Sequence, residues 1–268
     1  MPAKPESALR ILVIGDVVGK AGCRALFSMA KTLKKELAAD CLIVNGENAV
    51  DGSGLTPETV ADFFNAGVDV ITSGNHIWKN KTIYPLLDSE NRLLRPENYP
   101  KGVPGKGHCT ISCRDQKISV LNLEGNLNRA RLRCPFTVGR ETAQRLRKES
   151  PIVLVDFHAE SPQEKEALAV YLDGEITTLF GTHTHVQTAD ERVLAGGTGF
   201  ITDIGMTGPA ESVIGMSIKV ALDRALTQMP LKLEIEDNPA VLMGVVIEVD
   251  PETGKTVSVK RFQRQSSL

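Results

Sequence analysis

Two of the chain's five histidines stand two residues apart in Gly181-Thr182-His183-Thr184-His185, directly after a strand-like run over 176–180. Side chains alternate faces in an extended segment, so both imidazoles are expected to leave the strand end on one side. Imidazoles aimed at one point pack poorly but clamp a metal well. Four other segments end in the same fashion. Ile11-Leu12-Val13-Ile14-Gly15 runs into Asp16, and Leu42-Ile43-Val44-Asn45-Gly46 into Glu47 and Asn48. Val70-Ile71-Thr72-Ser73-Gly74 runs into Asn75 and His76, and Ile152-Val153-Leu154-Val155-Asp156-Phe157 into His158.

Carboxylate, amide and imidazole ligands together suit iron, manganese or zinc better than calcium or magnesium alone. Eight candidates exceed the needs of one tetrahedral ion, and a carboxylate such as Glu47 can bridge two. A pair of ions about 3.5–4 Å apart would hold a bridging hydroxide at neutral pH. That hydroxide can attack phosphorus in line while the ions neutralise the phosphate oxygens. The leaving alkoxide still needs a proton, and an imidazole beside the site but not bound to metal is its natural donor. The expected chemistry is phosphate-ester hydrolysis at a dinuclear centre.

These residues need elements that bring strand ends together. The front half alternates: strand 10–15, helix 21–38 with Leu26, Met29, Ala30, Leu33 and Leu37 on one face, strand 41–45, and a second helix. Thr56 and Pro57 are an N-cap and first-turn proline, a helix start signal, and strand 68–72 follows that second helix. Such units imply a parallel sheet with right-handed crossovers, whose ligands bind at the carboxyl ends of strands. Loop sequence follows near 95–107, then strands at 108–113 and 117–122, helix 139–149, strand 152–156, helix 162–172 and strand 176–180. Tail strands near 198–202, 230–235, 241–249 and 255–262 suggest a second, more antiparallel sheet packed on the first. No repeat or long linker divides the chain, so a single domain over 1–268 is expected.

The 268 residues carry a net charge of −2, which argues against wrapping nucleic acid with a broad basic surface but not against one small phosphorylated substrate. No apolar stretch approaches the roughly 20 residues of a membrane helix. Without a signal-like start, the expected location is cytoplasmic, and a homo-oligomer fits an enzyme of this size. The five cysteines are odd in number and lack a Cys-x-x-Cys pair, so reduced, partly buried thiols are expected. The glycine-rich stretch after Ile14 fits neither G-x-G-x-x-G nor a P-loop, because Lys20 is followed by Ala21. Its glycines are expected to let the chain turn around Asp16. Arg129, Arg131 and Arg133 alternate as a solvated face does, although an arginine fork beside the site would grip phosphate. His108 stands without a companion and reads as a hydrogen-bonded core residue.

In their order, Asp16, Gly46-Glu47, Gly74-Asn75-His76, His158 and Gly181-x-His183-x-His185 resemble the calcineurin-like metallophosphoesterases. The stretches Gly15-Asp16-Val17-Val18-Gly19, Asn45-Gly46-Glu47-Asn48-Ala49 and Thr202-Asp203-Ile204-Gly205-Met206 are closer to the bacterial YmdB-like branch of cyclic-nucleotide phosphodiesterases. The resemblance spans essentially the whole chain. It implies a four-layer αββα sandwich of two mixed β-sheets. It further implies one ion on Asp16, Glu47, Asn48 and His185, and another on Glu47, Asn75, His158 and His183. His76 would be the general acid. Iron or manganese would be the metal, with zinc the third option. The implied substrates are 2′,3′-cyclic or 3′,5′-cyclic AMP, and the former, being products of RNA cleavage, link the chain to RNA metabolism. The chain departs from the wider superfamily at Val18, where an imidazole is usual, at Glu47, where the bridge is usually Asp, and at Ile77, where an acid usually orients the preceding His. The YmdB-like branch shares these departures. Two alternatives remain beside this one: a phosphomonoesterase or nuclease on the same centre, and a regulatory RNA- or protein-binding protein with a structural metal.

Overall fold

A strand buried on both faces must be covered on both, and the first strand, β1 (Leu9–Ile14), is buried at every residue. The structure, a computed structural model, describes residues 8–127 and 132–266. After β1 come β2 (Asp16–Val17), α1 (Gly19–Glu36), β3 (Cys41–Asn45), α2 (Pro57–Asn65), β4 (Val70–Thr72) and α3 (Tyr84–Ser89). The middle holds β5 (His108–Cys113), β6 (Gln116–Glu124), α4 (Pro135–Leu146), β7 (Ile152–His158), α5 (Pro162–Tyr171) and β8 (Thr178–Thr182). Then follow β9 (Arg192–Val193), β10 (Gly199–Ile201), β11 (Met206–Pro209), α6 (Ile218–Thr227), β12 (Ala240–Val249) and β13 (Thr256–Gln265).

These strands form two mixed sheets. One runs β2-β11-β12-β1-β3-β4 with β13 added beside β12; the other runs β5-β6-β7-β8-β10-β9. Alternation along β1 shows how the layers stack. Leu9, Ile11 and Val13 join the second sheet's Ile118, Val120, Ile152, Leu154 and Phe180 in a core between the sheets. Leu12 and Ile14 face outward to Ala25, Leu26, Ala30 and Leu33 of α1. On the far side, α4 and α5 cover the second sheet through Val138, Ala143, Leu146, Leu168 and Ala169. The order is therefore helix, sheet, sheet, helix, as expected. Thr56 caps α2 by accepting from the Thr59 N–H at 3.2 Å, with Pro57 in the first turn. All five cysteines are free, and Cys41, Cys109 and Cys113 are in the core between the sheets. Among the described residues no helix is long and apolar enough to cross a membrane.

The tail departs from the sequence reading. β12 and β13 form no second sheet; β12 pairs antiparallel with β1 and completes the first. The second sheet comes instead from the middle of the chain and is largely parallel, through β6, β7, β8 and β10. Local pattern marks a strand but not its neighbour, and here the closing partner lies over 200 residues away. Segment 230–235 alternates like a strand yet forms no strand and makes only an isolated bridge, Met216 to Ile235. Helix α6, just before it, was not expected.

The β1–β12 register puts Arg10 opposite Glu248, with Nη2 2.5 Å from Oε1 and side chains 4% and 11% exposed. Burial works against the Glu248 carboxylate, but hydrogen bonds from Ser258 and Arg10 hold its pKa below the ordinary range. A depressed folded pKa means this stabilisation is complete above the unfolded value of about 4.3 and fades as pH falls through the lower folded value. Glu248→Gln is expected to cost roughly 3 kcal/mol near pH 7. It should also flatten the acid limb of a plot of Tm against pH. An unchanged acid limb would remove this pair from the acid response.

Candidate metal centre

Five parallel strands, β1, β3, β4, β7 and β8, end at one edge of the inter-sheet layer, and all eight candidate residues are at or just past those ends. Close backbone approach makes this possible. A Cβ on Gly15 would overlap the Gly205 carbonyl, and one on Gly74 would overlap the His158 ring and Glu47 Oε2. The glycines after Ile14 thus serve mainly for contact; of those expected to let the chain turn around Asp16, only Gly19, at φ 61°, takes a left-handed conformation.

Glu47, His158 and His183 bring ligand atoms within 4.8 Å of one another, a grouping that fits a metal ion. His158 Nε2 is 2.9 Å from Glu47 Oε1 and 3.0 Å from His183 Nδ1. Asn75 lines the same cavity as His158 and His183, with Leu127, Glu160 and Ser161 on its rim. Next to this group, His185 Nε2 is 3.9 Å from Asp16 Oδ1 and 3.0 Å from Asn48 Nδ2. The His183 N–H ties the two groups by donating to Asp16 Oδ2 at 3.1 Å. Asn48 turns its carbonyl elsewhere: Oδ1 is 2.7 Å from His76 Nδ1.

His183 and His185 do not aim at one point. β8 stops at Thr182, and the two histidines have φ of 99° and 64°, so strand alternation no longer applies. One ring turns to His158, the other to Asp16. A buried ion pair holds this unusual backbone. Lys165 Nζ, on α5, donates to Asp203 Oδ2 at 2.7 Å and to the Thr182 carbonyl at 2.8 Å, while Asp203 Oδ2 also accepts from the Thr184 N–H at 3.1 Å. Neither Lys165 nor Asp203 was singled out as a site residue, because a lysine in a helix reads as solvent-facing. Asp203, a further carboxylate just past a strand end, was the available signal.

His76 is oriented without the acid that Ile77 replaces. Its Nδ1 faces Asn48 Oδ1 and, at 3.2 Å, Glu47 Oε1, and its N–H donates to Glu47 Oε2 at 3.1 Å. Nε2 is therefore the nitrogen left for a substrate, on a side chain 29% exposed. Burial opposes the Glu47 charge, yet the rings of His158 and His76 hold that carboxyl well below the usual range. Burial lowers the His158 pKa, but the Glu47 carboxylate outweighs it and carries the ring up to about 9. Burial and the charge of His158 push His183 down to about 3. Burial raises Asp16, against the pull of His185 and His158.

Asn75 Oδ1 is buried without a hydrogen-bond partner among the described residues, and Glu47 Oε1 is buried with only imidazole nitrogens beside it, His158 Nε2 at 2.9 Å and His76 Nδ1 at 3.2 Å. Two buried oxygens beside facing imidazole nitrogens are a donor set suited to a borderline divalent ion. Elsewhere, His108 belongs to no such group; its Nδ1 is 3.3 Å from Glu97 Oε2. Arg133 is exposed, 3.9 Å from Glu141, while Arg129 and Arg131 lie outside the described residues.

Over residues 12–262 the chain matches the family described as YmdB-like protein. It belongs to that family. This YmdB-like chain is 40% identical to a 2′,3′-cyclic-nucleotide 2′-phosphodiesterase of Bacillus subtilis strain 168, over 95% of its own length and 96% of the relative's. It superposes with a TM-score of 0.90 on a novel phosphatase from Mycoplasma pneumoniae, at 34% identity over 97% of this chain and 94% of that one. A hypothetical protein from Thermus thermophilus gives the same TM-score of 0.90, at 35% identity over 96% and 100%. The fold is the calcineurin-like metallophosphoesterase sandwich.

The tight seat of Gly74 gives a direct test of the ligand geometry. Gly74→Ala is expected to displace His158 or Glu47 and weaken manganese binding about tenfold or more, with circular dichroism unchanged. Unaltered binding would show that these two side chains do not hold the ion.

Proposed function

We propose that this YmdB-like protein is a metal-dependent phosphodiesterase that opens 2′,3′-cyclic nucleotides, with 3′,5′-cyclic AMP as a second substrate. The observation that carries the reading is the meeting of two ligand groups around the buried Glu47, with the half-buried His76 beside them. The identity to the Bacillus subtilis enzyme supports the substrate class. Asp16, Glu47, Asn48 and His185 would hold one ion; Glu47, Asn75, His158 and His183 the other. Manganese or iron suits this donor set, with zinc third. Two such ions supply Lewis-acid charge at the phosphate oxygens and make water a nucleophile at neutral pH.

The chain's own residues do the rest. Glu47, shared by both groups, sets their separation. The small cavity edged by Asn75, Leu127, Glu160 and Ser161 adjoins the second group, so a substrate phosphate would approach the ligands from that side. His76, turned by Asn48 and Glu47, presents Nε2 to the leaving oxygen. For a 2′,3′-cyclic ester cut as in the relative's name, the P–O2′ bond breaks and His76 delivers the proton to O2′. A 3′-phosphate remains. Such substrates arise from RNA cleavage, so the reading places the chain, as one catalytic domain, in cytoplasmic RNA turnover.

Turnover of 2′,3′-cyclic AMP with manganese should disappear with EDTA and return with metal. His185→Ala or Asp16→Ala is expected to lose bound metal and activity together; retention of both would remove them from the ligand set. His76→Ala should keep two ions per chain but lose roughly 10²–10⁴ in kcat. Wild-type turnover in that variant would end its role as proton donor. Two ions bound with neither cyclic ester cleaved would overturn the substrate assignment.

A further inference from the structure

Beneath the candidate ligands lies a fully buried polar layer. Asp156 is two residues before His158 on the same face of β7, in line with Ile152 and Leu154 of the inter-sheet core. A carboxylate there needs partners, and it has three. Thr72 Oγ1 and Asn45 Nδ2 donate to Oδ2 at 2.5 and 3.0 Å, and Thr182 Oγ1 donates to Oδ1 at 2.7 Å. A threonine hydroxyl has one proton. With that proton given to Asp156, Thr182 Oγ1 can only accept from its other neighbours, Asn45 Nδ2 at 3.3 Å and His158 Nδ1 at 2.9 Å. The ring must therefore carry a proton on Nδ1, which leaves Nε2 turned to Glu47 and His183. Asn45 extends the layer to the shared carboxylate, since its Oδ1 accepts from the Glu47 N–H at 3.2 Å.

His185 is steered by a weaker device. Its Nδ1 donates at 2.8 Å to the carbonyl of Ile214, a residue 44% exposed, in an excursion whose helix α6 buries no residue. We propose that Asp156, acting through Thr182, is a positioning residue that fixes the Nδ1–H form of His158 and makes the Glu47–Asn75–His158–His183 group the tighter of two ion sites. The proposal rests on the metal reading above. Partners of this kind are worth 10- to 100-fold in metal affinity.

Manganese titration of the metal-free protein by calorimetry tests the ranking, and nitrogen NMR of the zinc-loaded protein tests the tautomer. Wild type should bind in two phases. Thr182→Val should weaken the tighter phase about tenfold or more and leave the weaker one; Thr182→Ser, which keeps the hydroxyl, should restore it. His158 should show a proton on Nδ1 and coordination through Nε2. Unchanged titration in Thr182→Val, equal loss of both phases, or coordination of His158 through Nδ1 would overturn the proposal. The wild-type spectrum decides the tautomer even if the valine variant does not fold. Absence of manganese binding by wild type would overturn the metal reading instead.

Discussion

Glu47 is a carboxylate with no access to water, and most of the site's construction answers that fact. An isolated charge in such a place would take up a proton rather than stay ionised. Here two imidazoles and the His76 N–H surround it, and its pKa is held down instead of pushed up. To bring those groups in, β3, β4 and β7 must end level with one another. Gly74 must also lack a side chain, because a Cβ there would overlap the His158 ring and Glu47 Oε2. The same crowding leaves Asn75 Oδ1, in the cavity beside His158 and His183, buried without a hydrogen-bond partner among the described residues. Stability alone gives no reason to keep such an oxygen. A cation gives one.

Around this charge the scaffold uses buried polar pairs where apolar packing would be simpler. Lys165 and Asp203 are both fully buried, and an ion pair of that kind is weak evidence for stability. Its use is conformational. It holds the Thr182 carbonyl and the Thr184 N–H, and so pins a turn in which two non-glycine residues have positive φ. Each such residue costs of order 1–3 kcal/mol, which the pair must offset. An extended chain would have sent both imidazoles the same way. The turn sends them to two neighbouring places.

This difference marks what could be read from the sequence. That five strand ends carry candidate ligands is a local matter of apolar runs followed by glycine and a polar residue, and all eight residues do meet. Alternating strands and helices made a parallel sheet with a second sheet packed on it legible, while the four-layer sandwich was implied by the family resemblance. The course of the tail was not legible, because β12 finds its neighbour β1 by fit across most of the chain. The roles of Lys165, Asp156 and Thr182 were hidden too. Lysine usually faces solvent, and nothing in Val155-Asp156-Phe157 shows that Asp156 points into the space between two sheets. Ile77 was readable as a departure, but the group that replaces the missing acid is Asn48, 28 residues away.

Asn48 is also where the candidate ligands and the proposed proton donor become one problem. A primary amide has one carbonyl and one amino group, and only the oxygen can serve a metal. With Oδ1 on His76 Nδ1, it is Nδ2 that faces Asp16 and His185. On the proposed reading, Asn48 can join Asp16 and His185 as a ligand only by turning its amide toward them, which draws Oδ1 away from His76. Glu47 Oε1, 3.2 Å from the same His76 nitrogen, then remains as its acceptor. Glu47 is itself the carboxylate shared by both ligand groups. The orientation of His76 is thus tied to the ligands through two side chains, and neither can move without changing the other's share. A separate acid after His76 would have kept the two functions apart; with Ile77 in that place, they are coupled.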